Sequence, residues 1–206
     1  MIAPGRGRKV LALSDETVPY VYSPSVKDNF GDVDLIAGCG DLPREYLEYV
    51  VSLLDKPLFF VPGNHDVDDY DVPGGQSVDG SFARFEDLLI GGAGGSIRYK
   101  PHGRHQYTQR QMYQRILSML PRMYLRRLAH GYGLDLFIAH ASPRGVHDAE
   151  DPAHIGFGAF HTVVRIGRPR FLLHGHTHIQ RNLEQSRTRL GETWVVNVYP
   201  ERVIEL

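Results

Sequence analysis

The chain has 206 residues, of which 42% are hydrophobic and 23% charged, and its formal net charge is −1. That composition fits one globular domain spanning residues 1–206, large enough to bury a sizeable core. It offers no whole-molecule basic field for long nucleic acid or a membrane surface, and its one cysteine, Cys39, excludes an intramolecular disulfide and fits a reducing compartment.

The chain opens with "MIAPGRGRKV", and only "VLAL" (Val10 to Leu13) follows before Ser14 and Asp15. That is too short for the apolar region of a signal peptide, so the sequence reads as cytoplasmic. No run approaches the ~18 apolar residues of a spanning helix, so no membrane partner is expected. "KVLALSD" (Lys9 to Asp15) reads as a short buried strand ending in a carboxylate. "VDLIAGCGD" (Val33 to Asp41) repeats the design. Pro43 suits a first helical turn, and Leu47, Val50, Val51 and Leu54 recur at helical spacing, which predicts a helix over residues 43–54. "PLFFVPGNHD" (Pro57 to Asp66) is again strand, glycine and polar cluster. "GGAGGS" (Gly91 to Ser96) lacks the Gly-Lys-Ser/Thr ending of a phosphate-cradling loop and reads as a turn between strands.

A helix is predicted from about Thr108 to His130, interrupted at Pro121. Its basic run "PRMYLRRL" (Pro121 to Leu128) reads as a solvated face. "LDLFIAH" (Leu134 to His140) and "RFLLHGH" (Arg170 to His176) are further strands with polar ends. A second helix is expected near Phe157 to Ile166, and "TWVVNVY" and "RVIEL" close the chain as two strands.

Five apolar strands thus end in Asp, Asn or His, with helical patterns between them. In open α/β sheets, ligands collect beyond the carboxyl ends of the strands. The sequence therefore gathers Asp15, Asp41, Asn64, His65, His140, His176 and His178 near one rim. His174, His176 and His178 share one parity and would face one side of an extended segment; His174 is read as structural, supporting the site. Carboxylates alone would repel one another, and bound divalent cations remove that conflict. Mixed Asp, Asn and His donors suit Mn, Fe, Zn or Ni better than Ca or Mg.

The ordered set "SD" at 14–15, "GD" at 40–41, "GNHD" at 63–66, "AH" at 139–140 and "GHTH" at 175–178 resembles the calcineurin-like metallophosphoesterases. The resemblance spans residue 10 to about 199. It implies an α/β fold, a four-layer α-β-β-α sandwich with two central mixed sheets. It also implies a hydrolase of phosphate esters that uses one or two divalent transition metals per chain. By the resemblance, Asp41 would bridge two metals, with Asp15 and His178 on the first and Asn64, His140 and His176 on the second. His65 would protonate the leaving group or donate to the phosphoryl oxygens, Asp66 would orient His65, and a metal-bound hydroxide would attack phosphorus.

The sequence departs from the family pattern at one place. The first motif is Asp-x-His in the family, and here it is Asp15, Glu16, Thr17. Strand alternation would put Thr17 on Asp15's side, where a hydroxyl is a poor substitute for imidazole. Arg44 stands where some relatives carry a tyrosine, and spacing does not support Tyr20, Tyr22 or Tyr46 as replacements. That departure opens an alternative, a ligand-depleted member of the fold acting as a metal-binding or protein-binding scaffold. The expected substrate loop is residues 141–160, where Arg144 and His147 are the candidate substrate-binding residues and His154 a further contact. A small phosphorylated substrate is the expected partner. Monoester and diester are not separated by the sequence, and neither is the oligomeric state specified.

Overall fold

The computed structural model describes residues 7–179 and 186–206, so the first part of the basic N-terminal segment lies outside the described residues. The first half of the chain holds β1 (Lys9–Leu13), α1 (Val26–Phe30), β2 (Leu35–Gly38), α2 (Arg44–Leu54), β3 (Leu58–Phe60) and β4 (Gly75–Ser77). A hairpin follows from β5 (Phe82–Phe85) to β6 (Leu88–Ala93), then the short β7 (Ser96–Ile97) and β8 (Gln106–Tyr107), and the long α3 (Gln109–His130). The second half holds β9 (Leu134–Ala139), α4 (Ala159–Thr162) with a π-turn over Val163–Gly167, β10 (Pro169–His174), β11 (Arg187–Leu190), β12 (Thr193–Asn197) and β13 (Glu201–Glu205).

Two mixed sheets form the centre, ordered β13-β1-β2-β3-β4 and β11-β12-β10-β9-β6-β5. Strands β1 to β4 run parallel, as do β6, β9, β10 and β12, while β13, β5 and β11 pair antiparallel at the edges. Strand alternation explains the layers. Val10, Ala12, Leu35 and Ala37 point inward against Ile90, Leu136, Ile138 and Leu173 of the other sheet. Their neighbours Leu11, Leu13, Ile36 and Phe60 point outward against Val26, Leu47 and Val50 of α1 and α2. On the far side, Leu89, Phe137, Leu172 and Val195 meet Met112, Ile116, Met119 and Phe160 of α3 and α4. Each central strand is buried on both faces, which is why it reads as a continuous apolar run. The expected four-layer sandwich is therefore the observed architecture.

Three local expectations change. Helix α3 runs unbroken through Pro121. The ring of Pro121 sits on the exposed face, and the buried stripe of Met112, Ile116, Met119, Leu120 and Met123 holds the helix together across it. The basic run is not simply solvated. Arg126 bonds the buried Asp135 at 2.8 Å, and Arg127 reaches the carbonyls of Arg165 and Ile166 at 3.0 Å. The glycine-rich segment is partly strand: Gly91 to Ala93 complete β6, and a Cβ on Gly92 would come within 2.5 Å of the Ile138 carbonyl. Glycine there lets neighbouring strands approach, and only Gly94 and Gly95 turn the chain. Among the described residues no helix is long and apolar enough to cross a membrane.

Candidate metal centre

The parallel strands β1, β2 and β3 of one sheet and β9 and β10 of the other end on the same side of the molecule. Asp15, Asp41, Asn64, His140 and His176 follow these five carboxyl ends in turn. One ligand atom each from Asp15, Asp41, His140 and His176 lies within 4.8 Å of every other. Asn64 joins them, its Oδ1 standing 3.1 Å from His140 Nε2. The backbone is bent hard to achieve this. Asp15, Asp41 and His176 have φ of 65°, 56° and 64°. Left-handed backbone at three non-glycine residues in one cluster is strain held by the surroundings, as is common at functional sites.

Neighbouring backbone groups hold that geometry. Asp15 Oδ2 accepts the His176 N–H at 2.9 Å, which ties β1 to β10 across the two sheets. Asp41 Oδ1 accepts the His65 N–H at 2.7 Å. Glycine makes these approaches possible: a Cβ on Gly63 would lie 2.1 Å from Asp41 Oδ1, and one on Gly175 would lie 2.3 Å from Asp15 Oδ2. The "GN" and "GH" of the motifs are thus packing requirements as much as donor positions.

His140 is fully buried and donates from Nδ1 to the Cys39 carbonyl at 2.8 Å, which fixes its tautomer. Its Nε2 then faces Asp41 Oδ2 at 3.2 Å. Burial works against an imidazolium there, yet the charge and hydrogen bond of Asp41, with Asp15 behind them, outweigh it and lift the pKa to about 9. Burial likewise opposes ionisation of Asp41, and His140 overrides it, bringing Asp41 down to about 2. His140 thus supplies the positive charge that two neighbouring carboxylates demand. His176 is pushed down to about 4, by burial first and then by repulsion from His140, so its ring is neutral. Its Nε2 bonds the Ala153 carbonyl at 2.8 Å, which leaves Nδ1 for a ligand. Deprotonated carboxylates, a neutral imidazole and a second imidazole carrying a displaceable proton are the donor set a divalent transition metal takes up. The residues present therefore fit the metal.

The cluster floors a pocket of about 390 Å³ lined by Asp15, Asp41, Asn64, His65, Tyr99, Ala153, His154, His176 and His178. His178 is more than half exposed, lies 3.8 Å from Asp15 Oδ1 and stacks on Tyr199 with ring centroids 4.2 Å apart.

A family model described as calcineurin-like phosphoesterase matches residues 28–180. The chain belongs to the calcineurin-like phosphoesterase family. An uncharacterized protein of Methanocaldococcus jannaschii is 23% identical over 193 residues, covering 86% of this chain and 83% of that protein. Among solved structures, TT1561 of Thermus thermophilus has a TM-score of 0.65 at 18% identity, covering 93% of this chain and 89% of the other. GAP50, the anchor in the inner membrane complex of Plasmodium, has a TM-score of 0.52 at 10% identity, covering 94% and 71%.

In this member of the family the fold brings Asp15, Asp41, Asn64, His65, His140, His176 and His178 to one place. Other expectations are corrected. β1 ends at Leu13 and β10 at His174, and the chain turns left-handed at Asp15 and His176, so strand parity does not govern residues 15–17 or 174–178. His174 points away, fully buried, with its Nε2 2.9 Å from His147 Nδ1. His147 also bonds Thr188 Oγ1 at 2.9 Å, so both its ring nitrogens are occupied within the fold, and it does not line the pocket. Arg144 is exposed outside the pocket, and its carbonyl bonds His161 Nε2 at 2.7 Å. Asp66 does not orient His65. Its Oδ2 accepts the backbone N–H groups of Asp41 at 2.9 Å and Gly63 at 2.7 Å, and so fixes both loops. Thr17, Tyr20, Tyr22 and Tyr46 do not line the pocket either. Sequence reasoning missed Tyr99, whose hydroxyl accepts from Asn64 Nδ2 at 3.3 Å. It lies in a loop after β7 with no motif around it, so no signal in the sequence could have found it.

Proposed function

We propose that this member of the family is a metal-dependent hydrolase of small phosphate esters. The observation that carries the reading is the convergence of Asp15, Asp41, His140 and His176 within 4.8 Å. Asp15, Asp41, Asn64, His140, His176 and His178 would hold one or two divalent transition metals. When bound, such ions supply Lewis acidity and lower the pKa of coordinated water. The chain's own groups do the rest. His65 stands at the pocket rim with its backbone N–H anchored on Asp41. From there its ring is the proton donor to the leaving oxygen or a donor to phosphoryl oxygens. Asp66 acts through the backbone it holds. A pocket of about 390 Å³ suits a small ester.

The test is metal retention after loading with Mn²⁺, Zn²⁺ or Fe²⁺, followed by hydrolysis of p-nitrophenyl phosphate and of bis(p-nitrophenyl) phosphate. Retained metal with turnover of either ester supports the reading, and His176→Ala should lose both. No retained metal, or metal without turnover of either ester, counts against it. The second outcome favours the scaffold reading, which draws on Thr17 standing where the family motif has histidine.

A further inference from the structure

Helix α3 carries two apolar faces. One is the buried stripe already described. The other faces solvent: Tyr113 is 39% exposed, Leu117 57%, Tyr124 47%, Leu125 67% and Leu128 66%. At 100° per residue these five, with Pro121 among them, fall within an arc of about 120° beside the buried stripe. At ~200 Å² for each full side chain, the five leave roughly 550 Å² in solvent, near the upper end of what a monomer exposes in one patch.

Four of the five residues on this face are spaced symmetrically. Tyr113 and Leu128 lie equally far from the midpoint between Leu120 and Pro121, and so do Leu117 and Tyr124. Two such helices laid antiparallel about a twofold axis at that midpoint would set each tyrosine against a leucine of the other copy. That is the self-complementarity an isologous interface requires. Two faces together bury roughly 1,100 Å², which clears the ~1,000 Å² expected of a specific interface before flanking side chains are added.

Charge decides between possible occupants. α3 contains no acidic residue. Yet most of its arginines are tied to their own chain. Arg115 bonds Asp79 at 2.6 Å, Arg126 bonds Asp135 at 2.8 Å, Arg127 bonds the carbonyls of Arg165 and Ile166, and Arg122 lies over the Phe82 ring. An anionic bilayer or an acidic partner helix would need free cations along the rim of the apolar face. Only Arg110 shares the face, at the start of the helix. In the antiparallel pair it lies beside the last turn of the partner helix, where carbonyl dipoles favour a cation.

We propose that the outer face of α3 is a dimerisation surface, occupied by α3 of a second copy in antiparallel register centred between Leu120 and Pro121. Sedimentation equilibrium of the full chain tests it. The wild type should show twice the chain mass at tens of micromolar. Leu117→Glu should raise the dissociation constant about 100-fold or more, because a twofold interface loses the contact twice, while far-UV circular dichroism stays unchanged. Register is tested separately by cysteine pairing, since Cys39 is fully buried. Leu117→Cys chains mixed with Tyr124→Cys chains should give a disulfide-linked pair under mild oxidation. A single-chain mass up to about 100 µM, an unaffected Leu117→Glu dimer, or failure of that mixed pair to form overturns the proposal. So does a monomer that sediments with phosphatidylserine vesicles and loses that behaviour on Leu117→Glu, which would assign the face to a membrane surface.

Discussion

Gly63→Ala is a severe test of how the candidate metal centre is held. The added methyl would lie 2.1 Å from Asp41 Oδ1, 2.5 Å from its Cγ and 2.6 Å from its backbone nitrogen. Two of those atoms belong to a carboxylate fixed by the His65 N–H, and the third belongs to a backbone held by Asp66. No rotamer of a flexible neighbour relieves the clash, so the Asp41 or Gly63 backbone must move. Overpacking of this kind costs ~1–3 kcal/mol. Loss of one hydrogen bond to a charged group adds ~1.5–3 kcal/mol. A destabilisation of about 2.5–6 kcal/mol follows. Because Asp41 is a donor itself, Mn²⁺ affinity should fall by at least ~100-fold. The assay is denaturant unfolding in EDTA together with calorimetric Mn²⁺ titration. Gly131→Ala is the control. Gly131 ends α3 at φ 83° with nothing within 4 Å of a new Cβ. It should cost ~1–2 kcal/mol from left-handed backbone alone and leave Mn²⁺ binding intact. If Gly63→Ala binds Mn²⁺ like the wild type, or if Gly131→Ala loses the metal equally, the reasoning about the cradle fails.

Metal uptake should be proton-linked. His140 without metal holds its proton up to about pH 9, so apparent affinity should rise as pH approaches that value, with proton release visible in buffers of different ionisation enthalpy. In the metal-free protein the same raised pKa stabilises the fold fully below the ordinary histidine pKa of ~6.5, and that contribution fades as pH rises through 9. Asp41→Asn should abolish it, seen as a flatter dependence of unfolding midpoint on pH between 6.5 and 9. His65→Ala should retain metal while losing ~10²–10⁴-fold in turnover on alkyl phosphates; an equal loss on p-nitrophenyl phosphate would remove His65 from the acid role. Arg126→Ala should destabilise the fold by ~3–5 kcal/mol, because Asp135 is 2% exposed and would keep only the Leu89 N–H at 2.9 Å and the half-exposed Arg170 at 3.6 Å. An unfolding midpoint within error of wild type would show that Arg170 and the Leu89 N–H suffice.

The sequence by itself determined that the central strands are covered on both faces and that a donor follows each carboxyl end. Continuous apolar strands such as "VLAL" and "LFIA" can be satisfied only when both faces are covered, and each ends in a donor, so the rim follows from the pattern. Residues that belong to a motif, such as Asn64 in "GNHD" and His176 in "GHTH", were legible because glycine and donor stand next to each other in the chain. What the tertiary structure decided is everything that depends on where strands stop. Parity assigned His174 to the side of His176, but a left-handed turn at His176 separates them, and His174 pairs with His147 instead. Asp66 looked like a partner for its neighbour His65 and instead bonds the backbone of Asp41, a residue far away in the chain. The helix survives Pro121 because its buried face outweighs a local rule, and its arginines find Asp79 and Asp135 only once the sheet is in place. Local spacing carries information about periodic backbone. It carries none about the contacts made after the period ends, and the candidate metal centre is built almost wholly from residues just beyond that point.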